Sequence, residues 1–412
     1  MVTSSSAAQI YDWNAVPDAA APASGGRLVE LNDETLRDGL QSPSARQPDL
    51  AERMRLLRLM DRLGIDAASI GMPASGAVAG RMAAELAVYG ARQTPRLRLH
   101  CAARTLVGDI QAVADVSQAA GRSLDVTTFI GSSHMRMGAE GWTVRQAERI
   151  VRKAVRFAVA EGLPVCLAAE DSTRARPRLL RRLCLAALDE GAVRICLCDT
   201  AGHADPRGTA ALIRHVREQI MDPAGYAHVP IDWHGHNDRG LALANALAAV
   251  EAGASRVHAT ALGIGERCGN TAMDQLLVNL NLLGDGRDLD VLGEYCRTAS
   301  AAVGRPIPPE YPVFGRDAFF TATGVHAAAV AKAERAGDPW LADLVYSGVP
   351  ASRFGRRQEI GVGPASGRWN VQTWLRRRGL PSDPLIIDRI LTAARSATHV
   401  LTDHELASLA AD

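Results

Sequence analysis

Short apolar runs alternate with longer amphipathic stretches along most of the chain. In the stretches 50–64 and 144–162, apolar residues recur at three- and four-residue spacing, which predicts helices that bury one face against a sheet. The short runs between such stretches have the length of buried strands, and they lie at 28–33, 66–71, 96–102, 124–130, 164–170, 193–199, 228–234 and 256–262. This alternation predicts an α/β fold with a parallel sheet.

The number of units predicts a particular α/β fold. Eight strand–helix units within about 260 residues are typical of a (β/α)8 TIM barrel, which we place at 28–285. A doubly wound open sheet is the alternative, but we find no Gly-rich phosphate loop to support it. The pattern after 285 predicts a small, mainly helical C-terminal subdomain at 286–412 that includes an irregular stretch rich in Gly, Pro and Arg. Residues 1–27, rich in Ala, Ser, Pro and Gly, are predicted to form a flexible leader.

Charge and composition narrow the possible partners. The chain has 46 Lys and Arg against 45 Asp and Glu, a net charge of +1, which does not favour nucleic acid or a membrane surface as a partner. There is neither an apolar segment of about 18 residues nor a secretion signal. Seven cysteines without framework spacing predict reduced thiols and a cytoplasmic protein. Cys196 and Cys198 share a strand face, but they lack a second Cys pair for a zinc site.

Polar sequences follow five of the predicted strands. In a (β/α)8 barrel, the carboxyl ends of the strands and the loops after them form the active face. The five sequences are DETLRDGLQ (33–41), EDSTR (170–174), DTAGHADP (199–206), HGHND (234–238) and GIGERCGN (263–270). One such sequence alone is more often a helix cap or a turn. Five such polar sequences at the same end of one barrel predict an active site there.

Two histidines in HGHND predict a metal site. His234 and His236 are two residues apart on an extended segment, so their side chains point the same way. Two imidazoles need an anionic third ligand, and Asp38 can reach them because strand one of a closed barrel lies near strand seven. Asn270 could add a neutral oxygen. Such a set leaves positions open for substrate and suits Zn²⁺, Mn²⁺ or Mg²⁺ acting as a Lewis acid on a 2-oxo acid.

The same five sequences, in their order and spacing, resemble the DRE-TIM metallolyase superfamily. Within it, the chain is similar to the group of 2-isopropylmalate, homocitrate and citramalate synthases over roughly residues 28–370. The segments 314–332 and 344–356 resemble those that supply a catalytic His and a neighbouring Tyr in this group, here His326 and Tyr346. The resemblance implies a short form of the group, without the separate C-terminal regulatory domain and its feedback inhibition.

The resemblance implies a metal-dependent acyltransferase. Acetyl-CoA, or a related acyl-CoA, would add to a 2-oxo acid in a Claisen-type condensation, and hydrolysis of the thioester would release CoA. A domain-swapped homodimer is also implied, in which the helical subdomain covers the partner's barrel. The alternative is a metal-dependent C–C lyase or aldolase of the hydroxymethylglutaryl-CoA lyase type. A non-catalytic binding protein is a third hypothesis, which the complete set of predicted metal ligands disfavours.

The resemblance also implies roles for individual residues. Arg37 would stabilise the oxyanion that forms when the carbonyl is attacked. Gln41, Arg104 and Thr200 would bind the substrate. Glu170 and Arg174 would line the floor and order the loops, with Glu170 counted among the catalytic residues. His326 and Tyr346 would form the acid/base group, and the metal ligands would be Asp38, His234, His236 and Asn270.

Several positions depart from the group's pattern. Ser69 stands in strand two where the group usually has Glu, so a carboxylate credited with shaping the metal–water site is absent. Leu40 is apolar where many synthases have Glu or Asn. Thr321 and Ala322 replace a His and a Glu shortly before His326. These differences predict an unusual oxo acid or acyl donor, or a specialised pathway.

Overall fold

The computed structural model describes residues 28–411, together with Ile10 and Asn14. The predicted leader at 1–27 therefore lies outside the described residues, apart from those two positions. Contacts divide the described residues into two compact units, one that ends at Pro306 and one that includes the chain from Ile307 onward.

The first unit is a closed barrel of eight parallel strands, so the predicted (β/α)8 fold is confirmed. Each strand pairs with its neighbours in chain order, and the last strand pairs with the first. The strands are β1 (Glu30–Asp33), β2 (Ala67–Ser69), β3 (Arg98–Arg104), β4 (Asp125–Gly131), β5 (Val165–Glu170), β6 (Arg194–Asp199), β7 (Ile231–Gly235) and β8 (Arg256–Ala259).

Helices follow the strands and pack against one another along the chain. They are α1 (Leu50–Arg62), α2 (Ala77–Gln93), α3 (Val107–Ala120), α4 (His134–Glu140), α5 (Val144–Ala160), α6 (Pro177–Asp189), α7 (Pro206–His215), α8 (Ala242–Glu251), α9 (Met273–Leu282) and α10 (Leu292–Val303). A π-helical segment, Val216–Met221, continues α7.

Local sequence fixes where two of the barrel's helices begin. Before α1, the Asp49 side chain accepts a hydrogen bond from the Glu52 backbone N–H, and the Glu52 side chain accepts one from the Asp49 N–H. Thr143 and Gln146 form the same reciprocal capping box before α5. Such boxes satisfy N–H groups that have no partner inside the helix.

The barrel unit extends beyond the predicted boundary at 285, because α10 packs against α1. Its residue Tyr295 is fully buried, and the Tyr295 hydroxyl donates a hydrogen bond to the Asp33 carboxylate at the end of β1. The alternating pattern stops after β8, yet one more helix belongs to the barrel. The compact unit consequently reaches Pro306.

The second unit is mainly helical. A pair of two-residue parallel strands, β9 (Phe320–Thr321) and β10 (Glu359–Ile360), accompanies five helices. These are α11 (Gly324–Arg335), α12 (Pro339–Leu344), α13 (Arg368–Arg377), α14 (Pro384–Ser396) and α15 (Asp403–Ala411). Trp374 and Leu375 of α13 pack with Ile390 of α14 in the unit's largest apolar cluster. Across the described residues of both units, no helix has the length and apolar character needed to cross a membrane.

Candidate metal and substrate site

A cavity lies at the carboxyl ends of the barrel strands. Because side chains alternate along a strand, every second residue faces the barrel interior, and in-register neighbours face it together. Asn32 of β1 is in register with His258 of β8, and His258 with His234 of β7. The cavity holds about 180 Å³ and is lined by Glu34, Arg37, Asp38, Gln41, Ala102, Thr127, Phe129, Ala168, Glu170, Cys196, Cys198, Thr200, His234, His236, His258, Glu266 and Arg267.

Three predicted metal ligands converge in this cavity. Asp38 Oδ2 lies 3.2 Å from His234 Nε2 and 3.6 Å from His236 Nε2, and the two Nε2 atoms are 3.3 Å apart. All three residues are buried. Ligands bonded at about 2.0–2.2 Å to one divalent ion lie roughly 3–3.6 Å apart, so this arrangement fits a metal ion.

Asn270 is held beside the cluster in the loop that follows β8. His236 and Asn270 form an antiparallel bridge, and the Asn270 Nδ2 donates to the Ile264 carbonyl at 3.2 Å. The Asn270 Oδ1 is buried and has no hydrogen-bond partner among the described residues. An orphaned buried acceptor at this place is suited to binding a cation.

Gly269 makes the Asn270 loop possible. Its φ is +85°, and a Cβ atom there would lie 2.0 Å from the Gly263 carbonyl oxygen. A side chain could not be accommodated without moving the backbone. The glycine therefore allows Asn270 to follow directly and to reach His236.

Neighbouring charges favour the protonation states that bind metal. Burial raises the pKa of Asp38, but Arg37, followed by His234 and His236, lowers it more, so the pKa lies well below its ordinary value. Burial, followed by the nearby His234, lowers the pKa of His236 to about 4. At neutral pH the Asp38 carboxylate and the His236 imidazole are therefore both free to donate electron pairs.

Arg37 lies between two carboxylates at the edge of the cluster. Its Nε donates to Glu34 Oε2 at 2.8 Å, its Nη2 lies 2.7 Å from the same oxygen, and Nη2 is 3.8 Å from Asp38 Oδ2. The Arg37 side chain is 21% exposed, so the guanidinium remains open to the cavity.

Three of the predicted substrate-site residues also line the cavity. Gln41 ends a short 3-10 turn, Gly39–Gln41, and is exposed. Thr200 follows β6, and its Oγ1 accepts the Asp171 N–H at 2.9 Å. Glu170 ends β5, where its carboxylate pairs with the Arg136 guanidinium at 3.2 Å.

Two predicted residues make other contacts. Arg104 pairs with Asp109 of α3 at 2.8 Å and is 55% exposed. Arg174 pairs with the buried Asp171 at 2.7 Å. Neither residue is among those that line the cavity. Each has a carboxylate partner that is five or three residues away in the sequence. Their guanidinium groups instead fix the loops that follow β3 and β5.

The predicted acid/base pair lies in the second unit. The His326 and Tyr346 rings stack with centroids 3.9 Å apart and an angle of 27° between their planes. His326 is in the first turn of α11, and both residues are exposed. The structure therefore brings together two side chains that are 20 residues apart in the sequence.

Three charged residues that line the cavity, Glu34, Glu266 and Arg267, were not predicted as site residues. Glu34 is two residues after Asn32, so the alternation of side chains along the strand predicts that both face the barrel interior. Arg267 donates to the Asp238 carboxylate at 2.8 Å and to the Thr200 carbonyl at 2.6 Å, which ties together the loops after β6, β7 and β8. Asp238 thus orders a loop and is not part of the cluster around Asp38.

A carboxylate–imidazole cluster at the strand ends of a (β/α)8 barrel is a feature of the class of DRE-TIM barrels. The chain belongs to the HMGL-like family of that class, whose sequence model matches residues 28–301.

Relatives of the chain include proteins that are named as synthases. The chain is 34% identical to a 2-isopropylmalate synthase of Solidesulfovibrio magneticus over 85% of its own length and 66% of that protein. It is 32% identical to the homocitrate synthase AksA of Methanopyrus kandleri over 88% of the chain and 86% of that protein. The crystal structure of hydroxymethylglutaryl-CoA lyase from Pseudomonas aeruginosa shares the fold, with a TM-score of 0.58 at 22% identity over 69% of this chain and 95% of that one.

Proposed function

We propose that this protein condenses acetyl-CoA, or a related acyl-CoA, with a 2-oxo acid and then hydrolyses the thioester to a 2-hydroxy dicarboxylate or tricarboxylate and CoA. The observation that carries the proposal is the cluster of Asp38, His234 and His236 with the Arg37 guanidinium beside it. The names of the relatives, 2-isopropylmalate synthase and homocitrate synthase, support the same reaction class.

The cluster is proposed to hold one divalent metal ion. Asp38, His234 and His236 would be ligands, and the free Oδ1 of Asn270 would contribute a neutral oxygen. Zn²⁺, Mn²⁺ and Mg²⁺ are the candidates. When bound, such an ion supplies Lewis acidity to the carbonyl of the oxo acid.

The chain's own residues would orient the oxo acid and stabilise charge. Arg37 is proposed to stabilise the oxyanion that forms at the attacked carbonyl, because its side chain lines the cavity beside Asp38. Gln41 and Thr200, which line the same cavity, are proposed to bind the substrate's polar atoms. Arg104 and Arg174 are proposed to support substrate binding through the loops that they fix.

The lining of the cavity favours an oxo acid with a short apolar side chain. The wall formed by β3 to β6 consists largely of Ala102, Phe129, Ala168, Cys196 and Cys198. Both arginines of the described lining are already paired with carboxylates. A second carboxylate on the substrate would thus lack a free guanidinium partner, and burying it unpaired is costly. The proposed substrate class therefore resembles that of isopropylmalate formation more than that of homocitrate formation.

The helical unit is proposed to complete the site of a second subunit. His326 and Tyr346 would act as acid/base groups on the barrel of the partner in a domain-swapped homodimer. Support for this proposal comes from the exposed, stacked pair of rings and from the similarity of the surrounding segments to the synthases.

A thiol-release assay tests the proposed reaction. Acetyl-CoA is supplied with pyruvate, 2-oxobutyrate, 2-oxoisovalerate or 2-oxoglutarate, and with Zn²⁺, Mn²⁺ or Mg²⁺ in turn. We expect CoA release with at least one apolar oxo acid and slower release with 2-oxoglutarate. Release with none of them, together with cleavage of a hydroxyacyl-CoA, would replace the condensation with the lyase reaction. Fastest release with 2-oxoglutarate would overturn the apolar substrate class alone.

A further inference from the structure

Glu34 is a buried carboxylate whose position the proposed reaction does not explain. Its side chain is 1% exposed, yet it borders the cavity beside the proposed metal ligands. Oε1 accepts a hydrogen bond from Asn32 Nδ2 at 2.8 Å, and Oε2 accepts one from Arg37 Nε at 2.8 Å. A buried carboxylate is costly unless its oxygens are paired, and here both are.

The other titratable neighbours of Glu34 are two buried histidines, His100 and His258, and His258 also lines the cavity. His258 Nδ1 lies 3.4 Å from Glu34 Oε1, and His100 Nε2 lies 3.7 Å from it. Burial raises the pKa of Glu34, but Arg37, His258 and His100 together lower it well below the ordinary value. Glu34 is therefore a fixed negative charge that faces the guanidinium of Arg37.

The neighbouring position on β2 is Ser69. β1 and β2 pair with Asn32 opposite Ala67 and Asp33 opposite Ala68, so one further step along the register places Glu34 beside Ser69. Ser69 is fully buried, and its Oγ has no hydrogen-bond partner among the described residues. The barrel thus has a carboxylate directly after β1 and, at the adjacent site on β2, a small hydroxyl without a hydrogen-bond partner among the described residues.

We propose that Glu34 is the positioning residue of Arg37. This inference rests on the proposed function, because it concerns the residue assigned to the oxyanion. Two contacts from one carboxylate oxygen to Nε and Nη2 fix the plane of the guanidinium. The rest of the guanidinium is left for the substrate.

Glu34 also protects the metal ligand Asp38 from Arg37. The Nη2 of Arg37 is 3.8 Å from Asp38 Oδ2, the same oxygen that faces both histidines. Without Glu34, Asp38 would be the carboxylate nearest to the guanidinium. A direct Arg37–Asp38 pair would compete with a cation for that oxygen. The position of Glu34 consequently affects metal binding as well as oxyanion stabilisation.

The register suggests an exchange experiment on the full-length enzyme. The variants are Glu34→Gln, Glu34→Ser, Ser69→Glu and the double exchange E34S/S69E, which conserves the composition of the pair. Three quantities are measured: kcat and KM for the best oxo acid, the affinity of the metal-free protein for Mn²⁺ by calorimetry, and the unfolding temperature. Asp285→Asn is the matched control, because Asp285 also forms a buried pair with an arginine, Arg287, at 2.6 Å, but outside the cavity.

We expect E34S to lower kcat at least 100-fold and to weaken Mn²⁺ binding at least tenfold. E34Q, which retains the size of the side chain but not its charge, should also lower both kcat and the affinity for Mn²⁺. The exchange variant should recover at least tenfold in kcat over E34S, since it returns a carboxylate to Arg37 from the adjacent strand. Asp285→Asn should lower the unfolding temperature and leave Mn²⁺ affinity unchanged.

Two results would overturn the inference. The first is a folded E34Q or E34S with wild-type kcat and Mn²⁺ affinity. The second is an exchange variant that unfolds at the wild-type temperature and recovers nothing over E34S. The calorimetry keeps the test independent of the reaction: a wild-type protein that released no CoA would refute the proposed function, while the Mn²⁺ affinities would still decide the role of Glu34.

Discussion

Asp38 supplies the anionic atom of the candidate metal site, so its loss should affect metal binding more than that of any distant carboxylate. Losing the hydrogen-bond partner of a metal ligand typically weakens metal binding roughly 10–100-fold. Losing a ligand itself should cost more, so we predict a larger loss of Mn²⁺ affinity in Asp38→Ala. Calorimetry on metal-free protein measures the change. Asp205→Ala, which removes an exposed helix-capping carboxylate, is the control. Equal affinity of wild type and Asp38→Ala would remove Asp38 from the ligand set.

His100 should make the fold sensitive to acid. Its Nε2 lies 2.8 Å from Asn32 Oδ1 and its Nδ1 lies 3.1 Å from Thr127 Oγ1, a pattern that suits a neutral ring. Burial lowers the pKa of His100 to about 3, against 6.5 for the ordinary residue. Between these values the unfolded chain binds a proton that the folded chain does not, so stability falls as the pH falls below 6.5.

The comparison of wild type with His100→Gln isolates this effect. We predict that the stability advantage of wild type over the variant is about 2 kcal/mol smaller at pH 5 than at pH 7. Denaturant unfolding at the two pH values measures it. An advantage that is constant or larger at pH 5 would mean that the ring is protonated in the folded state.

At the scale of elements, the loop after β8 is predicted to depend on one glycine. Gly269→Ala would force a residue with φ of +85° to carry a Cβ atom that clashes with the Gly263 carbonyl. Gly284→Ala is the matched control, because Gly284 has φ of +102° but open space around its Cβ position. We predict that both variants lose at least about 1 kcal/mol of stability from backbone strain. Gly269→Ala should lose more stability than Gly284→Ala and should also bind Mn²⁺ more weakly. Equal losses of stability and unchanged Mn²⁺ binding would contradict a role for the loop in placing Asn270.

Strands and their loops were predictable because their signals are local. Apolar runs and amphipathic periodicity marked the eight strands, and the two-residue spacing of His234 and His236 placed both on one side. Pairings between distant loops had no such signal: Arg267 and Asp238 belong to different loops, and their contact depends on the barrel's closure. The pairs of Arg104 with Asp109 and of Arg174 with Asp171 were not predicted, although the partners are only five and three residues away in the sequence. The alternation of side chains along β1 predicts that Glu34 faces the barrel interior. Its pairing with Arg37 was not predictable in this way, because it depends on how the chain turns after β1.

At the scale of the whole molecule, the proposed domain swap predicts that two inactive chains restore each other. Asp38→Ala inactivates a barrel, and His326→Ala removes an acid/base group, which is worth roughly 10²–10⁴-fold in rate. In a swapped dimer of one chain of each kind, the intact barrel receives the intact His326. Random pairing makes half of the dimers mixed, each with one good site, so coexpression should give about a quarter of wild-type activity per site. If each subunit used its own His326, the mixed dimers would have no complete site, and purified heterodimers carrying two different tags would be as inactive as either parent.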